Sequence, residues 1–276
     1  MAKKPKMDLE HSCFVGDCYT VLPMRVRDGS ANLVVADPPY NIGKDYLDYD
    51  DKKDVDEYLS WLLNRIGQIR KCLHPHGAFW LIINDLLVSE VDVRVKSMGF
   101  YKRSHVIWYY TFGQNTPKCF TPSHTHLLYY TKSKSKYTFN QDEPKIRHPS
   151  ARQVKYKDKR ANPKGRLPDN TWAIFPELMP EGSFDPAGDT WLASRVCGTY
   201  KEREKHSPNQ IPIPIMERIV LSTSSPGDMV VDPFCGSGST GVAAKLHCRS
   251  FIGCDISKTC VEKSRRRING VEPTKA

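Results

Sequence analysis

The sequence predicts an α/β fold built around a largely parallel sheet. Three observations carry this. The apolar runs Leu33-Val34-Val35-Ala36, Met229-Val230-Val231 and Phe251-Ile252-Gly253-Cys254 are nearly continuous, as in strands buried on both faces. Each run ends on an acid (Asp37, Asp232, Asp255), at the carboxyl end where open α/β sheets gather their ligands. Between the runs, apolar residues recur at helical spacing, most clearly Val55, Leu59, Leu62, Ile66, Ile69 and Leu73.

Taken in order, the first dozen residues are polar and basic and read as a frayed arm. Phe14-Val15-Gly16-Asp17 reads as a short strand ending in Gly-Asp, and residues 21–26 as a short helix. The strand that delivers Asp37 follows. Residues 41–54 are polar, rich in Asp and Tyr, and read as a mobile loop over the site. Asp54-Val55-Asp56-Glu57 has capping-box spacing and opens the periodic helix, which Pro75 and Gly77 are expected to end. Residues 78–83 form a strand with Asn84-Asp85 at its carboxyl end, and residues 88–98 a helix stopped by Gly99. Residues 106–110 and 127–131 read as an antiparallel pair, joined by a long loop holding Gln114, Asn115, Pro117, Lys118 and Pro122. Beyond an irregular stretch reaching about residue 205, the pattern returns. A helix (214–222), a strand (229–232), a helix (239–246), a strand (250–255) and a helix capped by Ser257 close the chain, making seven strands in all.

The chain has 276 residues, a formal net charge of +10 and a pI near 9.1. That balance suits a polyanionic partner, nucleic acid first. The charge concentrates in Lys145, Arg147, Arg152, Lys155, Lys157, Lys159, Arg160, Lys164 and Arg166, against the single acid Asp158. Such density of one sign favours phosphate contact over a merely solvated loop. The nine cysteines are scattered, several within apolar runs, and no secretory pattern precedes them, so reduced thiols and a cytoplasmic location are expected. Cys119, His124 and His126 lack a second ligand pair at finger-like spacing, so no metal site is expected. No apolar stretch is long enough to span a bilayer.

Two motifs carry the chemistry. In Asp37-Pro38-Pro39-Tyr40 the prolines stop the strand and remove two N–H donors, leaving the carbonyls of Asp37 and Pro38 as acceptors beside the carboxylate. Tyr40 offers a flat face just beyond. An amino group on a planar heterocycle fits such a site, although a strand closed by a proline turn explains the tetrapeptide alone equally well. The second motif, Asp232-Pro233-Phe234-Cys235-Gly236-Ser237-Gly238-Ser239-Thr240-Gly241, follows a strand and opens a helix. Asp255 ends the next strand about 20 residues on, where an acid can take the hydroxyls of a ribose. A nucleoside triphosphate is excluded because no Walker lysine follows the loop. Gly236, Gly238 and Gly241 match the dinucleotide fingerprint, so NAD and S-adenosyl-L-methionine both stay open at this point.

Together these two motifs resemble the DNA amino-methyltransferases, which methylate adenine N6 or cytosine N4 with S-adenosyl-L-methionine. The catalytic motif precedes the cofactor motif, as in the permuted β group. An NAD-dependent oxidoreductase would leave Asp37 to Tyr40 and the basic segment unexplained. The resemblance implies a Rossmann-like S-adenosylmethionine-dependent methyltransferase sheet of seven strands, permuted, with an inserted target-recognition region. It implies one domain over 1–276, with a catalytic half (12–139), a target-recognition insertion (about 140–205) and a cofactor half (206–270). Asp37, Pro38, Pro39 and Tyr40 would be catalytic. Asp17, Cys18, Asp37, Asp232, Phe234, Gly236, Ser237, Gly238 and Asp255 would bind the cofactor. His206-Ser207-Pro208-Asn209-Gln210-Ile211-Pro212 would cover its methionine part, with Ile211 departing from the usual basic residue. Arg152, Lys155, Lys157, Lys159, Arg160, Lys164 and Arg166 would meet double-stranded DNA. The acid before Pro-Pro-Tyr favours N6-adenine, taken from a flipped-out base. A nucleoid-associated enzyme is implied. A homodimer and a cognate restriction endonuclease are left open.

Overall fold

The computed structural model describes residues 9–46, 48–110, 117–118, 120, 122–173, 184–185, 190–192 and 210–274. Every strand expected from the apolar runs forms. These are β1 (His11–Val15), β2 (Ala31–Ala36), β3 (Leu73–Ile83), β4 (Tyr101–Tyr109), β5 (His124–Thr131), β9 (Met229–Asp232) and β10 (Ser250–Asp255). Three short strands join them from the stretch expected to be irregular: β6 (Thr171–Ala173), β7 (Phe184–Asp185) and β8 (Thr190–Leu192). Among the described residues the sheet therefore has ten strands, not seven, in the order β1-β10-β9-β2-β3-β5-β4-β6-β8-β7. The added strands extend it from β4, whose outer edge offers unpaired N–H and C=O groups. Two- and three-residue strands are too short for any hydrophobic period to announce them.

From β1 to β3 the neighbours run parallel, and β5 is antiparallel to both β3 and β4. Helices cover both faces: α1 (Cys18–Arg25), α2 (Val55–Cys72), α3 (Val88–Ser97), the single turn α4 (Ala151–Val154), α5 (Ile213–Thr223), α6 (Ser239–Leu246) and α7 (Lys258–Asn269). Residues alternate between the two layers. Leu33, Val35, Trp80 and Ile82 pack with Ile215, Ile219 and Val242, while Val34, Ala36, Phe79 and Leu81 pack with Leu59, Leu62, Ile66 and Ile69. Burial on both faces is why the strands read as unbroken apolar runs. One boundary differs from expectation. Pro75 and Gly77 do not end a helix but lie inside β3, where pairing with β2 skips from Leu73 to Ala78. A proline is tolerated in such an irregular stretch because its missing N–H interrupts no ladder bond.

The topology brings four acids to the same end of the sheet. Asp17 follows β1, Asp255 and Asp232 end β10 and β9, and Asp37 follows β2, and these four strands are neighbours.

Candidate active site

A cavity of about 730 Å³ opens over these strand ends. Its wall includes Asp17, Cys18, Asp37, Pro38, Phe234, Gly236 and Asp255, together with the 45–53 loop and α2. The Asp255 carboxylate accepts the Gly236 N–H at 2.9 Å through Oδ2 and the Ser257 N–H at 2.9 Å through Oδ1, and its pKa is raised by burial. Each oxygen keeps a lone pair for a ligand hydroxyl. Asp17 caps α1 by accepting the Tyr19 N–H at 2.8 Å, and its other oxygen pairs with Arg65 of α2. Arg65 lies over the Trp61 ring at 4.2 Å, and Trp61 stands 5.9 Å from Phe234 and 5.2 Å from Tyr49. One wall is thus aromatic and the floor is acidic, chemistry suited to a ligand that is part heterocycle and part cation.

At the other end, Tyr40 donates its hydroxyl to Asp37 Oδ1 at 2.6 Å. The Tyr58 hydroxyl, fully buried on α2, donates to the Pro39 carbonyl at 2.8 Å. Burial pushes the Asp37 carboxyl up to about 7; the Asp232 carboxylate adds to this, while the Tyr40 bond and Lys44 oppose it. Asp232 is likewise pushed up to about 7 by burial. Tyr40 departs from the open stacking platform expected of it. It is buried in the core, with its hydroxyl bonded to Asp37.

The family model described as DNA methylase, that of the N6/N4 amino-methyltransferases, matches residues 31–266. The chain belongs to this family. The methylase is similar over its length to the type II methyltransferase M.HpaI of Haemophilus parainfluenzae (32% identical, covering 88% of this chain and 70% of that one). It is similar to M.BglII of Bacillus subtilis (32%, 96% and 71%) and to the DNA adenine methyltransferase YhdJ of Escherichia coli (29%, 92% and 81%). Among solved structures its fold matches the cytosine-N4-specific PvuII DNA methyltransferase with a TM-score of 0.67 at 17% identity, over 95% of this chain and 88% of that one. It also matches a putative DNA modification methylase of Thermus thermophilus complexed with S-adenosyl-L-methionine (TM-score 0.62, 20% identity, 96% and 97%).

In the methylase, Asp17, Cys18, Asp37, Pro38, Pro39, Phe234, Gly236 and Asp255 are brought together around one cavity. Asp232, Ser237 and Gly238 stand behind its wall. The Asp232 carboxylate accepts the Phe234 N–H at 3.0 Å and shapes the loop, and the Ser237 carbonyl accepts from Arg267 at 2.7 Å. Gly238 sits at φ +81, and a Cβ there would lie 2.9 Å from Ser264 Cα of α7. Its lack of a side chain thus serves helix packing. The seven basic residues from Arg152 to Arg166 are all exposed. Two of them share one partner: Arg152 and Arg160 meet Asp158 at 3.2 and 3.0 Å. Cys119, Gln114, Asn115 and His206 to Asn209 lie outside the described residues, while Gln210 and Ile211 are buried. His126 contacts His105 at 2.7 Å, and burial lowers its pKa to about 4. Among the described residues no group of His, Cys, Asp or Glu is arranged to hold a metal ion. Likewise no helix among them is long and apolar enough to cross a membrane.

Trp61, Arg65, Tyr58 and Asp51 were not singled out by sequence reasoning. Trp61 and Arg65 lie one helical turn apart, on the turn after Tyr58. The aromatic residues Tyr58 and Trp61 beside Arg65 on an amphipathic helix are the available signal.

Proposed function

We propose that this methylase transfers a methyl group from S-adenosyl-L-methionine to the exocyclic N6 of an adenine flipped out of duplex DNA. The observation that carries the reading is the Asp37 carboxylate, held with Pro38 on the wall of the cavity that Asp255 and Phe234 also line. The residues fit the cofactor: Asp255 keeps lone pairs for ribose hydroxyls, Phe234 and Trp61 offer ring faces, and the acids suit a cation. When bound, S-adenosyl-L-methionine supplies an electrophilic methyl group on a sulfonium centre.

The chain's own task is to prepare the amine, whose lone pair is delocalised into the purine ring. Hydrogen bonds from that amine to the Asp37 carboxylate and the Pro38 carbonyl draw the nitrogen towards tetrahedral geometry. They strengthen as positive charge grows on it, which is the differential stabilisation that catalysis needs. Oδ1 takes the Tyr40 hydroxyl, and the remaining lone pairs of the carboxylate are the acceptors offered to the amine. A duplex buries the amine in its stack, so the base must leave the helix. The insertion from about residue 140 to 205 serves target recognition in this reading, with Lys155, Lys157 and Lys159 on the phosphate backbone. The acid before Pro-Pro-Tyr supports adenine, and the similarity to YhdJ, named a DNA adenine methyltransferase, agrees.

The test is methyl transfer from labelled cofactor to mixed-sequence duplex DNA, followed by nucleoside analysis, with Asp37→Ala alongside. N6-methyladenine from the wild type and none from the variant is the expected result. N4-methylcytosine would overturn the base assignment while keeping the chemistry.

A further inference from the structure

Asp51 sits in a polar loop, yet it is only 2% exposed. Its carboxylate accepts three backbone N–H groups from the residues directly after the catalytic motif: Asn41 at 2.8 Å through Oδ1, and Ile42 at 3.1 Å and Lys44 at 3.0 Å through Oδ2. The intervening Gly43 N–H goes to the Asp51 carbonyl at 2.9 Å. Asn41, at φ +58, closes the base of the loop by donating its amide to the Lys53 carbonyl and accepting the Lys53 N–H, at 2.9 and 2.8 Å. Successive amides turned towards one anion form a nest of the kind that binds phosphates elsewhere, here filled by a side chain of the same chain.

The nest joins two parts of the site. Its amides begin one residue after Tyr40, whose hydroxyl holds Asp37. The loop it fastens supplies Asp45, Tyr46, Asp48, Tyr49 and Lys53 to the cavity wall. We propose that Asp51 is a positioning residue for methyl transfer: its carboxylate fixes the loop so that Asp37 and the cofactor-side wall keep their mutual geometry. This rests on the reading that methyl transfer occurs at Asp37.

The experiment compares wild type, Asp51→Ala and Asp51→Asn in steady-state methyl transfer, with sodium formate titrated against sodium chloride at matched ionic strength. Asp51→Ala leaves three convergent N–H donors around a hole that formate fits. The expected kcat loss is about a hundredfold, the usual cost of misplacing reacting groups by about 1 Å. Formate should restore at least a tenth of the wild-type rate, saturably, and chloride should not. A merely structural aspartate would let formate raise Tm and the folded fraction while kcat per folded enzyme stayed at the wild-type value. An Asp51→Ala enzyme as fast as wild type, or one equally slow with and without formate, overturns the inference. If Asp51→Ala does not fold, Asp51→Asn decides. Its single amide oxygen cannot serve all three donors, so kcat should fall about tenfold, and wild-type kcat would overturn the idea. A wild-type enzyme that methylates nothing would instead sink the underlying reading, a result separable from both.

Discussion

At the scale of single residues, Asp37 and Asp232 share one electrostatic situation. They end adjacent strands, and burial raises both carboxyls to about 7. A carboxyl whose pKa is higher in the folded than in the unfolded chain contributes its stability in full below the unfolded value, near 4. That contribution is lost as pH rises through about 7. Asp37→Asn should therefore be neutral or mildly destabilising at pH 4.5 and stabilising at pH 8, by up to about 4 kcal/mol for a shift of this size. Urea unfolding at the two pH values measures it. Since the ionised carboxylate is the stronger acceptor for an amine gaining positive charge, the methyl-transfer rate should rise with pH through about 7 and then level. Tyr40→Phe removes a hydrogen bond that lowers the Asp37 pKa, so the rising limb should move to higher pH. Asp255→Ala should weaken cofactor binding by roughly 2 kcal/mol, the scale of hydrogen bonds to a charged group, read by calorimetry. The acids at strand ends were legible in the sequence because an apolar run points at them. Asp51 was not, because its burial depends on a loop folding back onto backbone amides, and loop closure leaves no periodic trace.

At the scale of elements, the glycine loop and α6 divide their work. Gly236 faces the cavity, while Gly238 and Gly241 press the loop and helix against α7 and β10. A Cβ at Gly241 would lie 2.4 Å from Ile268 Cδ1 and 2.7 Å from the Phe251 ring. Gly241→Ala should consequently destabilise the protein by about 1–3 kcal/mol, as overpacked cores do, despite the better helix propensity of alanine. Thermal or denaturant unfolding tests this, and the cofactor affinity of the folded fraction should change little. The match to a dinucleotide fingerprint in the sequence was therefore partly a packing signature. Helix–sheet contact demands small residues just as close ligand approach does, and sequence spacing does not separate the two. Apolar periodicity located all seven longer strands and most helices. It missed the start of β3, where proline and glycine usually signal an end, and the short strands β6 to β8.

At the scale of the whole molecule, the charge of +10 and the exposed segment around Lys155, Lys157 and Lys159 should show in the salt dependence of DNA binding. Replacing those three lysines with alanine should flatten the slope of log K against log salt by about 0.9 for each that meets a phosphate. Arg152 and Arg160, which share Asp158, should contribute less. Titrations over a range of salt concentrations check both statements. An unchanged slope for the triple variant would move the DNA contact off this segment.

The pairing of β1 with β10 has a consequence for synthesis. Among the described residues β1 has a single neighbour in the sheet, and the Glu10 carbonyl accepts the Phe251 N–H. Some 240 residues separate the two sides of this contact. At ribosomal speeds of about 5–20 residues per second, β1 waits on the order of tens of seconds for β10 to be made. β2 meets β9 across a shorter but still long gap, Leu33 to Val230, so the cavity cannot assemble until β9 and β10 have been made. Nascent chains stalled before β9 should expose β1 to proteases and fail to retain cofactor, and extension beyond β10 should reverse both. A strand made so long before its partner depends on chaperones, or on low crowding, for that interval.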